Sequence, residues 1–296
     1  MKCSNNLALP FINQLLKIAR ETSITHMEMC PLIHDKIDKY QNLRNHSIDC
    51  KSHLNNLRLE MNKLHASDIN FKELHTNKYS LLPNSGKAVN FINIYEDEQI
   101  SVSVFSLPSF SYLPLHDHPG MHGLIKVISG SILIKNLTIL ERDIKPEILQ
   151  NLTSSPSLDT HFNIDKNLYI KLPLTKHLAK LESVLNISHL DEALLLSPLY
   201  HNLHEIRTSD SPGAFLDILF PPYNENLGRD CHYYNIQCKL PIKSDNKTSQ
   251  YANYDENHFK DDRYKTSEIY ILNETECPYD YRCKPQPYLG PPIIAT

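Results

Sequence analysis

Two histidines separated by one residue, His116 and His118, stand near the head of residues 113–130, LPLHDHPGMHGLIKVISG. On an extended strand, residues i and i+2 project from one face, so both imidazoles point the same way and offer two nitrogen donors to a single metal ion. Pro119-Gly120 then bends the chain. Residues 124–134 (LIKVISGSILI) read as two β-rich segments joined through Ser129-Gly130-Ser131. Two surface histidines are an ordinary accident, so the pair acquires chemical meaning only with a third ligand. His204, in Asn202-Leu203-His204, precedes the apolar run 214–220 (AFLDILF) and suits a returning strand that closes the site. His201 competes with it but faces elsewhere if this piece is extended. His122, four residues beyond His118, is another contender. Asp117 and His122 otherwise read as supporting residues.

Other reactive groups cluster downstream. Asp217 interrupts AFLDILF, and a buried carboxylate needs a partner. Arg229 or Arg207 could supply one; alternatively, Asp217 orients a ligand histidine or meets a substrate amine. Tyr223, in Pro221-Pro222-Tyr223, is one of 16 tyrosines, most of which must serve packing. Cys231 and Tyr233 stand at i and i+2 and share a strand face. Three neutral imidazoles leave a first-row metal with open positions, which suits oxygen activation by iron or hydrolysis and hydration by zinc.

The elements that must position these groups are mainly β. Strands are expected at 91–95, 101–107, 193–197, around His204, and at 214–220, 231–238 and 268–272, with a proline-fixed tail at 285–292. Phe11, Ile12, Leu15, Leu16 and Ala19 recur at helical spacing, as do Leu54, Leu57, Met61 and Leu64. Residues 1–75 therefore read as a helical elaboration packed on a β domain spanning 76–296. That domain carries polar insertions near 141–189, with a helix expected at 177–185, and near 243–265.

The chain has 296 residues, 41% hydrophobic content and a formal net charge of −4, enough for a core and without a basic footprint for nucleic acid. No apolar run approaches the ~20 residues of a membrane-spanning helix, and the N-terminus carries no convincing cleavage site. Seven irregularly spaced cysteines suit a reducing, cytoplasmic setting rather than a disulfide framework. The triplets beginning at Asn136 and Asn151 are then chance matches to the glycosylation pattern.

Five blocks carry a family likeness: HDHPGMHGLIKVISG (116–130), NLHEI (202–206), FLDILFPPY (215–223), GRDCHYY (228–234) and PYLGPP (287–292). In this order they resemble the cysteamine (2-aminoethanethiol) dioxygenases of animals and, less closely, the plant cysteine oxidases. The likeness runs from about 91 to 292, with a weaker match at 11–20. It implies a cupin, a double-stranded β-helix barrel, holding mononuclear Fe(II) on His116, His118 and His204. It further implies O₂ as co-substrate and conversion of a thiol to a sulfinic acid. Substrates by resemblance are cysteamine and peptides or proteins with an N-terminal cysteine, whose oxidation can mark a protein for degradation and so sense oxygen. The likeness sets Tyr223 near the iron, favours a supporting or amine-binding Asp217, and makes a Cys231–Tyr233 thioether plausible. The mouth of the site is expected near Tyr223 and Tyr288, and the chain is expected to act as a monomer in the cytoplasm, with nuclear access open. The rival readings are a zinc isomerase or hydrolase and a non-catalytic cupin that only binds a ligand or partner.

Overall fold

A computed structural model describes residues 9–29, 48–72, 88–140, 143–144, 163–164, 170–171, 175–198, 200–240 and 268–294. Its helices are α1 (Phe11–Met29) and α2 (Ile48–Met61). The strands are β1 (Val89–Glu96), β2 (Ser101–Leu107), β3 (Tyr112–Asp117), β4 (His122–Ile139), β5 (Asp143–Ile144), β6 (Asn163–Ile164), β7 (Ile170–Lys171), β8 (Lys176–Ser188), β9 (Leu194–Leu196), β10 (Leu203–Arg207), β11 (Gly213–Phe220), β12 (Tyr233–Leu240), β13 (Ile269–Thr275) and β14 (Cys283–Gln286). The short strands β5, β7 and β6 form a small sheet of their own.

The remaining strands make two layers. One runs β14-β1-β2-β11-β4-β9, the other β3-β10-β4-β8. Strand β4 serves both: its first half pairs with β11 and β9, its second with β8 and β10. This is the double-stranded β-helix expected from the sequence. The turn expected at 129–131 is instead a bend within one 18-residue strand. Gly130 adopts φ +63°, and the register against β11 slips between Ala214 and Phe215, so the chain changes layer without reversing. A Cβ on Gly130 would stand 2.1 Å from the Pro212 carbonyl oxygen.

A second correction concerns 177–185, which is strand rather than helix. Strand β8 pairs along its length with β4 and, at its start, with β13, so the expected insertion ends before it. The insertion expected at 243–265 and the boundary near residue 75 lie outside the described residues.

Between the layers, Leu107, Leu113, Ile125, Val127, Ile132, Ile134, Ile206 and Phe215 form the barrel core. Full burial of each such side chain stabilises the fold by roughly 1.5–3 kcal/mol before chain entropy is subtracted. On the opposite face of the first layer, Ile12, Leu15, Ala19, Leu57 and Met61 of the helices pack against Val102, Val104, Leu216 and Ile218. The Asn13 side chain also bonds the Pro292 carbonyl (3.0 Å) and the Ile294 amide (2.8 Å), tying α1 to the C-terminal tail. The helices thus share a core with the outer face of the first layer. Tyr288 packs into this helix-side cluster, so it does not line the mouth of the site.

Behind the second layer, the β12–β13 hairpin closes a ring β3-β10-β4-β8-β13-β12 around Leu115, Leu137, Leu181, Leu203, Tyr234 and Leu272. Strands β3 and β10 are therefore buried on both faces. Asn136 is buried as well, which leaves no room for a glycan there.

The bend at Gly130 yields a stability prediction. Gly130→Ala should lose roughly 1–2 kcal/mol from positive φ alone, and more from the clash with Pro212. Chemical unfolding checks this: a variant within about 0.5 kcal/mol of the parent would show that the bend tolerates a side chain.

Candidate metal centre

His116 lies on β3, His118 one residue beyond its end, and His204 on β10. The two strands run antiparallel with His204 directly opposite His116. Residues paired in this way share a face, so the returning strand delivers the third imidazole beside the first. Ring centroids stand 4.6 to 4.9 Å apart, and one ligand atom from each residue lies within 4.8 Å of the others. All three rings are buried. Among the described residues this is the only such cluster, and it contains no carboxylate.

The hydrogen bonds decide which nitrogen each ring offers. His116 Nδ1 lies 2.8 Å from the Pro114 carbonyl, which can only accept, so Nδ1 bears the proton and Nε2 is bare. The Tyr223 hydroxyl donates to the Asp117 carbonyl at 2.6 Å and therefore accepts from His118 Nδ1 at 2.9 Å. His118 thus also turns a bare Nε2 inward, 3.3 Å from Nε2 of His204. Burial holds all three imidazole pKa values below the ordinary range, and the neighbouring rings reinforce this at His118 and His204. Neutral rings gathered on one point, with the Nε2 lone pairs of His116 and His118 free, are what a first-row metal requires.

Asp117 alternates to the opposite face. Its carboxylate accepts from the His232 backbone N–H (2.8 Å) and the Tyr234 hydroxyl (2.9 Å), with His232 Nδ1 at 3.2 Å. These bonds tether residues 232–234 to the strand that carries the two ligands. Sequence reading gave Asp117 only a generic supporting role and missed His232 and Tyr234. Alternation along His116-Asp117-His118 is the one signal that pointed to them.

Of the other expected site residues, Tyr223 and Tyr233 approach the cluster directly, and Asp217 and Cys231 lie near Tyr223. Asp217 projects from β11 into the barrel, buried, with Oδ1 lacking any hydrogen-bond partner. Neither proposed arginine meets it: Arg229 Nε donates to the Pro222 carbonyl, and Arg207 pairs with Glu205. Burial alone pushes the Asp217 carboxyl up to about 7. Asp217 lies close enough to Tyr223 that its charge opposes ionisation of that hydroxyl. The Cys231 thiol lies within hydrogen-bonding reach of the Tyr223 and Tyr233 hydroxyls, and burial pushes it up to about 11. The Tyr233 ring centroid is 6.3 Å from that of His116. Cys231 precedes β12, which begins at Tyr233, two residues later than expected. Cys277, unremarked in the sequence, also reaches the Tyr233 hydroxyl.

The rejected ligands sit elsewhere. His122 stacks on Phe220, which belongs to the helix-side core, with centroids 5.5 Å apart. His201 occupies a left-handed turn at φ +59° and is influenced by Glu182 and Lys180 rather than by the cluster.

Residues 60–293 match the family model PCO_ADO. Over 219 residues the chain is 32% identical to a 2-aminoethanethiol dioxygenase of Mus musculus, covering 72% of this chain and 74% of that protein. Against the Homo sapiens 2-aminoethanethiol dioxygenase the identity is 30% over 241 residues, 81% of each chain. Plant cysteine oxidase 2 of Arabidopsis thaliana is 24% identical over 225 residues, covering 75% of this chain and 71% of that protein. The family match spans both layers of the barrel and takes in His116, His118 and His204 together; the chain belongs to the PCO_ADO family.

Proposed function

We propose that this chain is an Fe(II)-dependent thiol dioxygenase that converts the thiol of cysteamine, or of an N-terminal cysteine, to a sulfinic acid with O₂. The observation that carries the reading is the buried trio of His116, His118 and His204; on β11, Asp217 turns inward with no partner for Oδ1. Three neutral nitrogen donors fit Fe(II), which supplies open positions for a thiolate and O₂ and keeps the positive charge that favours the thiolate.

The chain's own residues then divide the work. The proposed substrates share a primary amine two carbons from the thiol. Asp217, poised near neutrality, suits that amine: an ammonium in contact draws the carboxyl pKa back down, and the acid releases its proton as the ion pair forms. Tyr223 has its hydroxyl committed to His118 and the Asp117 carbonyl, so it holds a ligand in place rather than orienting oxygen. Burial of the rings keeps water out and strengthens each of these contacts. The closeness of Cys231 to Tyr233 supports a thioether between them. Forming that C–S bond removes two hydrogen atoms, and O₂ is the oxidant that takes them. With an N-terminal cysteine as substrate, the reaction becomes an oxygen-dependent mark for protein turnover, in keeping with a monomer working in the reducing cytoplasm.

Anaerobic reconstitution with Fe(II) tests the metal site. His116→Ala, His118→Ala and His204→Ala should each lose bound iron, whereas His122→Ala should keep it because that ring lies on the helix side of the sheet. Stoichiometric iron in His204→Ala would mean that the third ligand is misassigned.

The product test uses mass spectrometry of a Cys-initiated peptide after air is admitted to the iron-loaded chain. The peptide should gain two oxygen atoms, about 32 Da, at the sulfinic level, with both atoms from labelled O₂. Label from water, or a disulfide as sole product, counts against dioxygenation.

Asp217 gives a pH signature. Its folded pKa of about 7 exceeds the ordinary 3.8, so the folded chain holds a proton that the unfolded chain releases. Its contribution to stability is therefore full below 3.8 and lost as pH rises towards about 7. Asp217→Asn should flatten that loss. Turnover of cysteamine should climb through neutrality in the parent more steeply than turnover of a thiol without an amine, and the variant should erase the difference. Equal losses for both thiols would assign Asp217 to ligand orientation, and unchanged turnover would leave it no role in the reaction.

A further inference from the structure

We infer that Asn136 positions His204 for metal binding, its side-chain oxygen accepting the Nδ1 proton that His204 must carry when Nε2 faces the metal. This rests on the metal-binding reading of the three histidines and adds a residue that no family block contains.

Two of the three ligands have a visible backing group. His116 leans on the Pro114 carbonyl and His118 on the Tyr223 hydroxyl. His204 Nδ1 is buried without a hydrogen-bond partner. Directly across the β10–β4 ladder from His204 stands Asn136. Directly paired residues share a face, with Cβ atoms about 4.5–5.5 Å apart. The flanking pairs agree: Leu203 and Leu137 meet in the cluster behind the sheet, and Ile206 and Ile134 meet in the barrel core. Asn136 therefore faces inward beside His204, and its Oδ1 is also buried without a partner. The Asn136 amide turns Nδ2 to Ser183 Oγ at 3.0 Å on the neighbouring strand β8, which leaves Oδ1 on the side away from that hydroxyl. That leaves an acceptor and an imidazole nitrogen, each unmatched, on two residues in direct register. Facing side chains in direct register stand close enough to bond once the ring presents a proton on that side.

The chemistry of the cluster explains why the bond belongs to the metal-bound state. His118 has its proton on Nδ1, so its Nε2 lone pair faces His204 Nε2 at 3.3 Å. Two lone pairs at that distance repel. In the metal-free chain His204 therefore carries its proton on Nε2 and donates to His118, and Nδ1 is bare. A metal requires both Nε2 atoms bare. The ring stays neutral, losing the Nε2 proton to solvent and taking one at Nδ1, where Asn136 Oδ1 accepts it. Groups that back a ligand histidine in this way fix its tautomer and raise its basicity.

The test uses the full chain and Zn(II) as a diamagnetic probe. Long-range ¹H–¹⁵N correlation should show His204 as the Nε2–H tautomer without metal and as Nδ1–H with zinc, and the Nδ1 proton should lie close to the Asn136 side chain. Zinc affinity, by competition with a chromophoric chelator, should fall about 10–100-fold in Asn136→Leu. Asn136→Asp, which keeps an acceptor oxygen, should retain most of it. A folded Asn136→Leu with parental affinity overturns the inference, as does an Asn136→Asp that loses as much as Asn136→Leu. Should Asn136→Leu not fold, the parent spectrum decides: zinc-loaded His204 with its proton still on Nε2, or with an Nδ1 proton remote from Asn136, overturns it equally. A parent chain that binds no zinc would instead remove the metal site itself.

Discussion

The structure depends on one pairing, His204 of β10 opposite His116 of β3. Side chains alternate along a strand, so a slip of one residue would turn His204 away from the site and send Leu203 into it. Both faces enforce the register. Inward, Ile206 and Leu113 pack in the barrel core; outward, Leu203 and Leu115 pack in the cluster covered by β12 and β13. A strand buried on both faces has no cheap alternative register. The precision of the metal centre is therefore inherited from apolar packing on either side of it.

The same alternation links the site to the hairpin behind it. Asp117 sits between two ligands and points the other way, where it takes the His232 N–H and the Tyr234 O–H. That attachment brings Cys231 and Tyr233 to the rim of the histidine cluster. It also accounts for the burial of Tyr234: its ring lies in the apolar cluster while its hydroxyl reaches a carboxylate. The hairpin is at once a lid on the hydrophobic back of the sheet and the carrier of two groups beside the metal site.

What could be read from the residues follows from how local each signal is. The shared face of His116 and His118 needs only the two-residue period of a strand, and the helices declare themselves through Leu15, Ala19, Leu57 and Met61. His204 could be chosen over His201 and His122 only by resemblance, because its partner strand is more than eighty residues away. Strand β8 was unreadable for a physical reason. Leu178, Leu181 and Leu185 recur at helical spacing among lysine, alanine and glutamate, all good helix formers. Pairing with β4 and β13 overrides that weak preference. Ser129-Gly130-Ser131 has turn chemistry, yet its glycine serves a bulge inside a continuous strand. At Asp217 one of the two expectations falls away: neither arginine meets the carboxyl, and burial raises its pKa to about 7 instead.

That last difference bears on selectivity. On GAFLDILF every residue is buried, and a carboxyl there without an ion-pair partner among the described residues is costly to ionise. A permanent arginine would have removed the cost but also occupied the acceptor. Under the proposed function, leaving the acid unpaired transfers the task of stabilising its charge to the substrate. In the proposed reaction, an amine-bearing thiol would bring an ammonium and complete the pair, whereas a thiol without an amine would leave the buried acceptor unmatched. Sites built to bond a substrate group discriminate most strongly against analogues that lack it, because the unmatched polar atom stays buried in the complex. In the proposed reaction, the instability tolerated at Asp217 is thus the source of preference for thiols carrying a neighbouring amine, and binding such a substrate relieves it.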